Sequence, residues 1–301
     1  MDNHLKGLLI TALGVLFVVP DSLFIRLIDA SAPTIAFWRG VTAGGFVLIG
    51  VLATMGLRCF ADVVKTGWAG VIYVILIGFT APGFVLAVTL TSVANVVFII
   101  ASMPVFAAIF SRVFLGESIS PRMIWTMVGV FIGLGVIAWG SGETHGASWQ
   151  GDLIALAVSA CYAGAMTAVR KVRTTSMIPA LPIAFLGASL LIWPFAEPAA
   201  AMPSQWPLIL GHGAFITVAT TLLTLGPRYI SSAEVALLIL LESVLAPLLV
   251  WWAIGEDPGP WAMLGGAVVI GVLFASNFWA LRHRYRMRNV PQPRVGPPPE
   301  T

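Results

Sequence analysis

Four ionisable side chains interrupt long apolar stretches of this sequence: Asp21, Arg39, Glu234 and Glu242. If these stretches cross a membrane, a charge within them is costly, so each needs a partner or a task. Asp21 and Arg39 each lie about two helical turns from the end where their stretches adjoin, so they can meet at one depth. The two residues predict either a structural ion pair between adjacent helices or a gate that binds a carboxylate or an amine.

Glu242 lies near the middle of its stretch, with no basic residue close to it in the sequence. Two interpretations remain open. A carboxylate at that depth could bind a proton or a cation, as coupled transport requires. Alternatively, a protonated glutamate could donate to a backbone carbonyl that a helix kink leaves free. Glu234 stands at the start of the same stretch, where a first-turn carboxylate stabilises the helix dipole.

Polar and aromatic side chains recur at helical spacing in three later stretches. Two of these stripes combine an amide or hydroxyl with a ring: Asn95, Phe98 and Ser102, then Ser159, Tyr162 and Met166. A third stripe carries only hydroxyls, at Thr217, Thr220, Thr221 and Thr224. We expect a substrate site formed by Asn95, Phe98, Ser102, Tyr162 and Glu242, with Thr217, Thr220 and Thr224 beside it. The threonines could equally bond carbonyls of their own helix.

His212 lies roughly 130° around the helix from the threonine stripe, at 100° per residue. It is therefore expected to be a packing residue between helices. Glu117 and Glu256 stand at the ends of stretches beside prolines, and we interpret them as turn and cap residues.

Four prolines lie inside the apolar stretches: Pro20, Pro82, Pro104 and Pro247. Each removes a backbone donor and bends its helix unless a neighbour satisfies the freed carbonyl. These positions predict hinges for a conformational change, or bends of fixed shape.

The composition shows which element must hold these residues. Hydrophobic residues make up 58% of the chain and charged residues 10%, too few charges to cover a soluble surface. Crossing a membrane takes about 20 residues of helix. The apolar runs predict ten such crossings, at 7–28, 34–55, 68–90, 92–112, 123–140, 151–170, 178–196, 207–226, 233–253 and 261–281. A nine-crossing alternative joins the third and fourth runs.

Basic residues favour ten crossings, because all but Arg26 and Arg39 fall on alternate connections. The positive-inside rule then places both termini in the cytoplasm. The segment 282–301 is basic and proline-rich and is expected to be disordered. The basic residues lack interleaved aromatic positions, so the net charge of +3 does not indicate nucleic-acid binding.

The sequence repeats itself. Residues 92–121 align without a gap on 231–260 with nine identities in thirty, and Gly7 and Arg26 align on Gly151 and Arg170. Each half therefore holds five helices, which predicts repeats at 1–142 and 143–281. An odd number of crossings makes the second copy enter the membrane from the opposite side, so the two repeats are inverted.

The segment 104–108 (PVFAA), Gly116-Glu117 and the glycines from Gly129 to Gly133 resemble the EamA-type drug/metabolite transporter superfamily. The second copy carries the matching Gly255-Glu256 and Pro260, although Ser243 follows Glu242 where the family has proline. The resemblance implies ten helices around a central cavity lined by helices 1, 3, 4, 6, 8 and 9. The chain is most similar to bacterial amino-acid exporters, including those for aromatic amino acids.

The expected function is export of small metabolites, amino acids above all, by an alternating-access secondary transporter in a bacterial inner membrane. Protons are a candidate coupling ion, and export of drugs or lipophilic cations is the alternative. An enzyme is not expected, because His4, His145 and His283 lie outside the crossings and no convergent nucleophile, base or metal set appears. No cofactor or metal is expected.

Overall fold

The chain is described by a computed structural model over residues 3–140, 147–172, 175–225, 229–230 and 232–288. Over these residues all regular structure is helical. The first-half helices are α1 (Asn3–Val18), α2 (Asp21–Leu27), α3 (Ala32–Thr54), α4 (Arg58–Lys65), α5 (Trp68–Leu90), α6 (Val93–Ile100), α7 (Met103–Leu115) and α8 (Pro121–Gly140). The second-half helices are α9 (Trp149–Lys171), α10 (Ala180–Ile192), α11 (Pro198–Leu225), α12 (Ser232–Ile254) and α13 (Pro260–Arg288).

Nine helical segments in the described part of the chain are long and apolar enough to cross a membrane. Nine of the ten predicted crossings are thereby found. The remaining one, 178–196, forms only the short helix α10 and a 3-10 turn, Trp193–Phe195. Prolines limit this segment, since Pro179 caps its start and Pro194 stands within the final turn. The expectation of ten full-length crossings is therefore not confirmed.

Two of the crossings are broken, and both breaks lie beside a proline. Pro20 separates α1 from α2, while Ala101 and Ser102 separate α6 from α7 just before Pro104. Pro82 and Pro247 instead lie inside continuous helices. Pro104 has no N–H to bond the Ile100 carbonyl, and Ser159 of α9 donates to that oxygen at 3.3 Å. The second repeat thus satisfies a carbonyl freed in the first.

Helix packing follows the sequence repeat. The packed pair α5 and α9 corresponds to α11 and α1, and the pair α3 and α11 corresponds to α10 and α5. Likewise α7 packs on α9 as α12 packs on α1, while α8 with α13 and α3 with α10 pair across the pseudo-symmetry axis. Exchanging the two halves therefore reproduces the same neighbours, as expected for repeats related by a pseudo-two-fold axis.

The terminal segment differs from its expectation. Helix α13 continues to Arg288, so the first part of the tail predicted to be disordered from residue 282 is helical. Residues 289–301 lie outside the described ranges, as do residues 141–146, which hold the predicted boundary between the repeats.

Candidate transport site

Asp21 and Arg39 form a buried ion pair. The Nε atom of Arg39 donates to Oδ1 of Asp21 at 3.0 Å, and Nη2 donates to Oδ2 at 2.6 Å. Both side chains are almost fully buried. The helix break at Pro20 makes Asp21 the first residue of α2, where a carboxylate also faces the positive end of the helix dipole. The bidentate geometry fixes α2 against α3.

His212 is the third member of this cluster. Its Nε2 atom lies 2.6 Å from Oδ1 of Asp21, and its ring stacks on Phe24 with centroids 5.3 Å apart. His212 thus lies between helices, as expected, and in addition it bonds a buried carboxylate, which the sequence did not predict. Helix α11 approaches α3 closely at Gly213, where an added methyl group would overlap Thr42. This approach aims the imidazole at Asp21.

Tyr162 and Glu242 extend the cluster toward the second half of the molecule. The Thr80 hydroxyl lies beside the Tyr162 hydroxyl, and both Tyr162 and Glu242 lie within electrostatic reach of Arg39. Both side chains keep accessible surface. The Glu242 carboxylate makes no hydrogen bond or ion pair with any described residue, although Arg39 and Asp21 are near it. An accessible carboxylate without a partner is the kind of group that binds a cationic ligand.

The three side chains of the stripe predicted on the fourth crossing do not all face Asp21, Arg39 and His212; each has a different partner. Asn95 lies in the first turn of α6, where its amide donates to Asp152 at 3.1 Å. Phe98 packs against Gly266 of α13. Ser102 bonds the Ile99 carbonyl at 2.6 Å. All three side chains are buried, and they connect helices in this conformation.

The threonine stripe on α11 serves the helices themselves. Thr220 and Thr224 donate to carbonyls four residues earlier, at 2.8 Å and 2.6 Å. Thr217 donates to the Ala43 carbonyl of α3 at 3.2 Å. This is the structural alternative that the sequence left open, and the Thr217 bond ties α11 to α3.

Two further ion pairs link the halves at opposite ends of the bundle. Arg26 contacts Glu256 at 2.8 Å, and Arg170 contacts Glu117 at 2.6 Å. Arg26 and Arg170 are equivalent in the repeat, as are Glu117 and Glu256. We call the two ends the Glu256 face and the Glu117 face.

A glycine explains why each glutamate reaches its arginine. Gly116 and Gly255 follow α7 and α12 with φ of 70° and 73°, a left-handed conformation that glycine adopts without strain. The glutamate that follows each glycine leaves the helix and turns toward the other half. The sequence contained this signal in the repeated Gly-Glu and in the aligned arginines, but interpreting the glutamates as caps missed it. Glu256 does also accept from the Val93 N–H, at 2.8 Å.

The Glu256 face is the more tightly closed of the two. There the Arg26 and Glu256 side chains are 24% and 21% exposed, against 54% and 46% for Arg170 and Glu117. Further bonds between the halves support this face, from Thr91 to Asp152 at 2.9 Å and from Ser148 to the Leu90 carbonyl at 2.7 Å.

The exposure of side chains along α9 also increases from the Glu256 face toward the Glu117 face. Ser159 is fully buried, Tyr162 is partly exposed and Met166, on the same face of the helix, is 41% exposed. Ser159 bonds Ser102 of the first half, so this face of α9 looks toward the space between the halves. The side chains on this face of α9 therefore become more exposed from Ser159 toward the Glu117 face.

Known proteins show a related architecture and sequence pattern. The family model described as EamA-like transporter family matches residues 5–139 and again residues 149–278. The chain belongs to the EamA-like transporter family. Its members are membrane transporters of small molecules, and the double match agrees with the internal repeat.

Several solved structures match the fold of this EamA-like transporter, and one of them is a crystal structure. It has a TM-score of 0.64 and 19% sequence identity over 92% of this chain and 98% of its own. At that identity the likeness concerns the fold alone. A comparison with curated proteins gave no match. Within the described ranges, no group of three or more histidine, cysteine or acidic residues could hold a metal ion.

Proposed function

We propose that this protein is a secondary transporter that exports amino acids by alternating access. The observation that carries the proposal is the accessible, unpartnered Glu242 carboxylate within electrostatic reach of Arg39. An amino acid presents an ammonium and a carboxylate a few ångströms apart. A site with one carboxylate and one guanidinium matches both ends.

Each end of the substrate has a named partner in this proposal. The ammonium binds Glu242. The substrate carboxylate binds Nη1 of Arg39, the one terminal nitrogen that Asp21 does not use. Tyr162 borders the same space and offers a ring face and a hydroxyl to the side chain of the substrate. Phosphorylated substrates are disfavoured, because they require several convergent cations.

The transport cycle uses the two faces in turn. The positive-inside distribution supports a cytoplasmic Glu117 face, so the conformation described above accepts substrate from the cytoplasm. Release then requires the Arg26–Glu256 pair to part and the Arg170–Glu117 pair to tighten. Asn95, Phe98 and Ser102 stay candidates for substrate contact in the opposite conformation. Location in a bacterial inner membrane, with both termini in the cytoplasm, is part of the same proposal.

The test is counterflow of labelled amino acids in liposomes that contain the purified protein. Phenylalanine, leucine, glutamate and lysine are compared with the lipophilic cation tetraphenylphosphonium. We expect saturable amino-acid exchange that falls at least about tenfold in Glu242→Gln and in Tyr162→Ala, since losing a hydrogen bond to a charged group costs about 1.5–3 kcal/mol. The matched control is Glu197→Gln, at an exposed loop glutamate, which should exchange normally.

Export of lipophilic cations is the second candidate, favoured by the same unpartnered carboxylate beside an aromatic ring. Transport of tetraphenylphosphonium without any amino acid would select it and contradict amino-acid export. Normal amino-acid exchange by Glu242→Gln and Tyr162→Ala would show that the substrate site lies elsewhere.

A further inference from the structure

Arg122 and Arg282 lie at the Glu117 face of the packed helices α8 and α13. Arg122 belongs to the first turn of α8, and Arg282 ends the 23-residue apolar span of α13. At 1.5 Å per residue that span is about 35 Å long, which exceeds the hydrocarbon layer of roughly 30 Å. Arg282 therefore lies at the depth of the lipid headgroups. The antiparallel packing of α8 on α13 brings Arg122 to a similar depth.

The Arg122 guanidinium is held on the surface of α13 by one of its nitrogens. Nη1 donates to the Ser276 carbonyl, and Cζ lies 5.6 Å from the centre of the Trp279 ring. Nε and Nη2 donate to no described residue. These two atoms form the edge of a guanidinium that binds an oxyanion with two parallel bonds, as Arg39 binds Asp21. The anion-binding edge of Arg122 therefore has no partner in the described part of the chain.

Arg282 stands beside the same group of rings. Its Cζ lies 5.2 Å from the centre of the Phe278 ring, and that ring stacks on Phe274. Arg282 follows Trp279 by three residues, so the two side chains leave α13 about 60° apart around its axis. Side chains of a helix lean toward its N-terminus, which brings the Arg282 guanidinium back toward the level of Trp279. Both guanidiniums therefore border the same stretch of α13.

Neither arginine forms an ion pair with a described carboxylate. Helices α8 and α13 contain no acidic residue. Glu117 is the acidic residue nearest to Arg122 in the sequence, and it is paired with Arg170 at 2.6 Å. A guanidinium without a counter-ion at a membrane surface attracts an anion, and basic pockets between membrane helices on the cytoplasmic side bind lipid headgroups.

The surface around these arginines is apolar and exposed. Trp125 on α8, together with Phe274, Phe278 and Trp279 on α13, keeps between 45% and 75% of its surface accessible. Tryptophan rings are typical of the boundary between hydrocarbon and headgroups. A soluble anion would neutralise the guanidiniums but leave these rings uncovered. A molecule with an anionic head and apolar chains covers both.

We propose that Arg122 and Arg282 bind the phosphate of an anionic phospholipid, whose acyl chains lie on the exposed rings of α8 and α13. Arg122 offers Nε and Nη2 to the phosphate, and Arg282 adds a second positive charge. Helix α13 continues beyond this point with three more arginines, Arg284, Arg286 and Arg288, whose charges strengthen the attraction to an anionic lipid surface. The site concerns the lipid and not the transported substrate, so it stands independently of the proposed function.

The test measures lipid binding to the purified full-length protein by native mass spectrometry from a neutral detergent. Dioleoyl phosphatidylglycerol is compared with dioleoyl phosphatidylcholine, which has the same chains and a phosphate but no net charge. We expect saturable binding of one phosphatidylglycerol per protein, at least about tenfold tighter than phosphatidylcholine, because two guanidiniums act on the extra charge. Arg122→Gln and Arg282→Gln should each weaken this binding about fivefold, the factor that one basic residue contributes near an anionic lipid surface.

Arg58→Gln is the matched control. Arg58 begins α4, which packs near the end of α9 at the same face, and its side chain is exposed. No ring contact or ion pair joins it to a described residue. This variant should bind phosphatidylglycerol as tightly as the wild type. Equal weakening in all three variants, or equal affinities for the two lipids, would show diffuse attraction to a basic surface and overturn the site.

Thermal unfolding gives a second readout. A ligand that binds only the folded protein raises its unfolding temperature. Phosphatidylglycerol should therefore raise the Tm of the wild type, and it should raise the Tm of the double variant Arg122→Gln/Arg282→Gln by less than half as much. The Tm without lipid shows whether each variant folds. Because Arg282 is exposed, Arg282→Gln keeps the test decisive even if Arg122→Gln fails to fold.

Inorganic phosphate distinguishes a lipid from a soluble anion. Added in large excess over the lipid, it should leave both the bound phosphatidylglycerol and the Tm unchanged. Displacement of the lipid by phosphate, with the same stabilisation, would assign the site to a soluble anion and overturn the lipid proposal. None of these measurements uses an amino acid, so the lipid site and amino-acid export are tested separately.

Discussion

Ser22 and Met166 occupy equivalent positions in the two repeats, yet Ser22 is 1% exposed and Met166 is 41% exposed. Ser22 lies near the Glu256 face and Met166 near the Glu117 face. The Ser22 hydroxyl has no hydrogen-bond partner among the described residues, although it is buried. A buried hydroxyl without a partner is costly, so its position suits a state in which it faces water or substrate. The difference between these residues agrees with a bundle that is more tightly packed at the Glu256 face.

Cysteine labelling tests directly whether water reaches position 166 more readily than position 22. In a background without Cys59 and Cys161, we expect Met166→Cys to react with a water-soluble thiol reagent at least about tenfold faster than Ser22→Cys, because reaction requires an accessible thiolate. Both variants should react equally after denaturation, which controls for intrinsic reactivity. Equal rates in the folded protein would contradict a bundle that opens toward the Glu117 face.

Removing the ion pair on the closed face should shift the balance between conformations. Glu256→Gln takes away the charge that holds Arg26, and a partly exposed pair contributes about 1 kcal/mol or less. We therefore expect Ser22→Cys to be labelled up to about fivefold faster in the Glu256→Gln background. Labelling rates are the measurement.

The opposite ion pair supplies the control for this shift. Glu117→Gln breaks a more exposed pair, so its effect on Ser22→Cys labelling should be smaller and in the other direction. A faster reaction in both backgrounds would indicate general loosening of the fold. It would contradict the idea that the two ion pairs stabilise opposite conformations.

The buried Asp21–Arg39 pair should be strongly coupled in stability. Arg39→Gln leaves a buried carboxylate without its main partner and should destabilise the protein by about 3–5 kcal/mol. Asp21→Asn leaves the guanidinium unpaired with a similar loss. The double variant should lose clearly less than the sum, because it buries no lone charge. Thermal unfolding in detergent measures all three, and additive losses would show that the two side chains act independently.

Ser159 should matter only because Pro104 is present. Ser159→Ala removes the donor to the freed Ile100 carbonyl and should cost about 1 kcal/mol of stability. In a Pro104→Ala background, residue 104 can supply its own N–H to that carbonyl, and Ser159→Ala should then cost about half as much or less. Unfolding of the four proteins forms a double-mutant cycle. An unchanged cost in the Pro104→Ala background would locate the role of Ser159 in its contact with Ser102.

Depth along the membrane could be predicted from this sequence, but rotation about helix axes could not. Counting turns from the ends of apolar runs placed Asp21 and Arg39 at one level, where the structure joins them. The threonine stripe was visible as a face, yet nothing local says which neighbour a face meets. Its hydroxyls donate to carbonyls of α3 and of α11 itself, and it is His212 that contacts the Asp21–Arg39 pair.

Contacts across the two halves were the other limit. The aligned Arg26 and Arg170, and the aligned Glu117 and Glu256, were present in the sequence as separate matches. Their pairing depends on how one half docks on the other, a long-range arrangement that helical periodicity does not contain. Asn95 illustrates the same point, since its partner Asp152 belongs to a different repeat.

The helix breaks at Pro20 and before Pro104 both belong to the first repeat, whereas their counterparts α9 and α12 are unbroken. The two copies of the repeat therefore differ in helix continuity: the first is divided at these two points, and the second is continuous there. A conformational change can bend the first repeat at these two breaks, whereas α9 and α12 move as continuous helices. The two end states of the transport cycle therefore need not be mirror images of each other. Substitutions that stiffen the helix breaks of the first repeat should slow transport, and comparable substitutions in the second repeat should have a smaller effect on the transport rate.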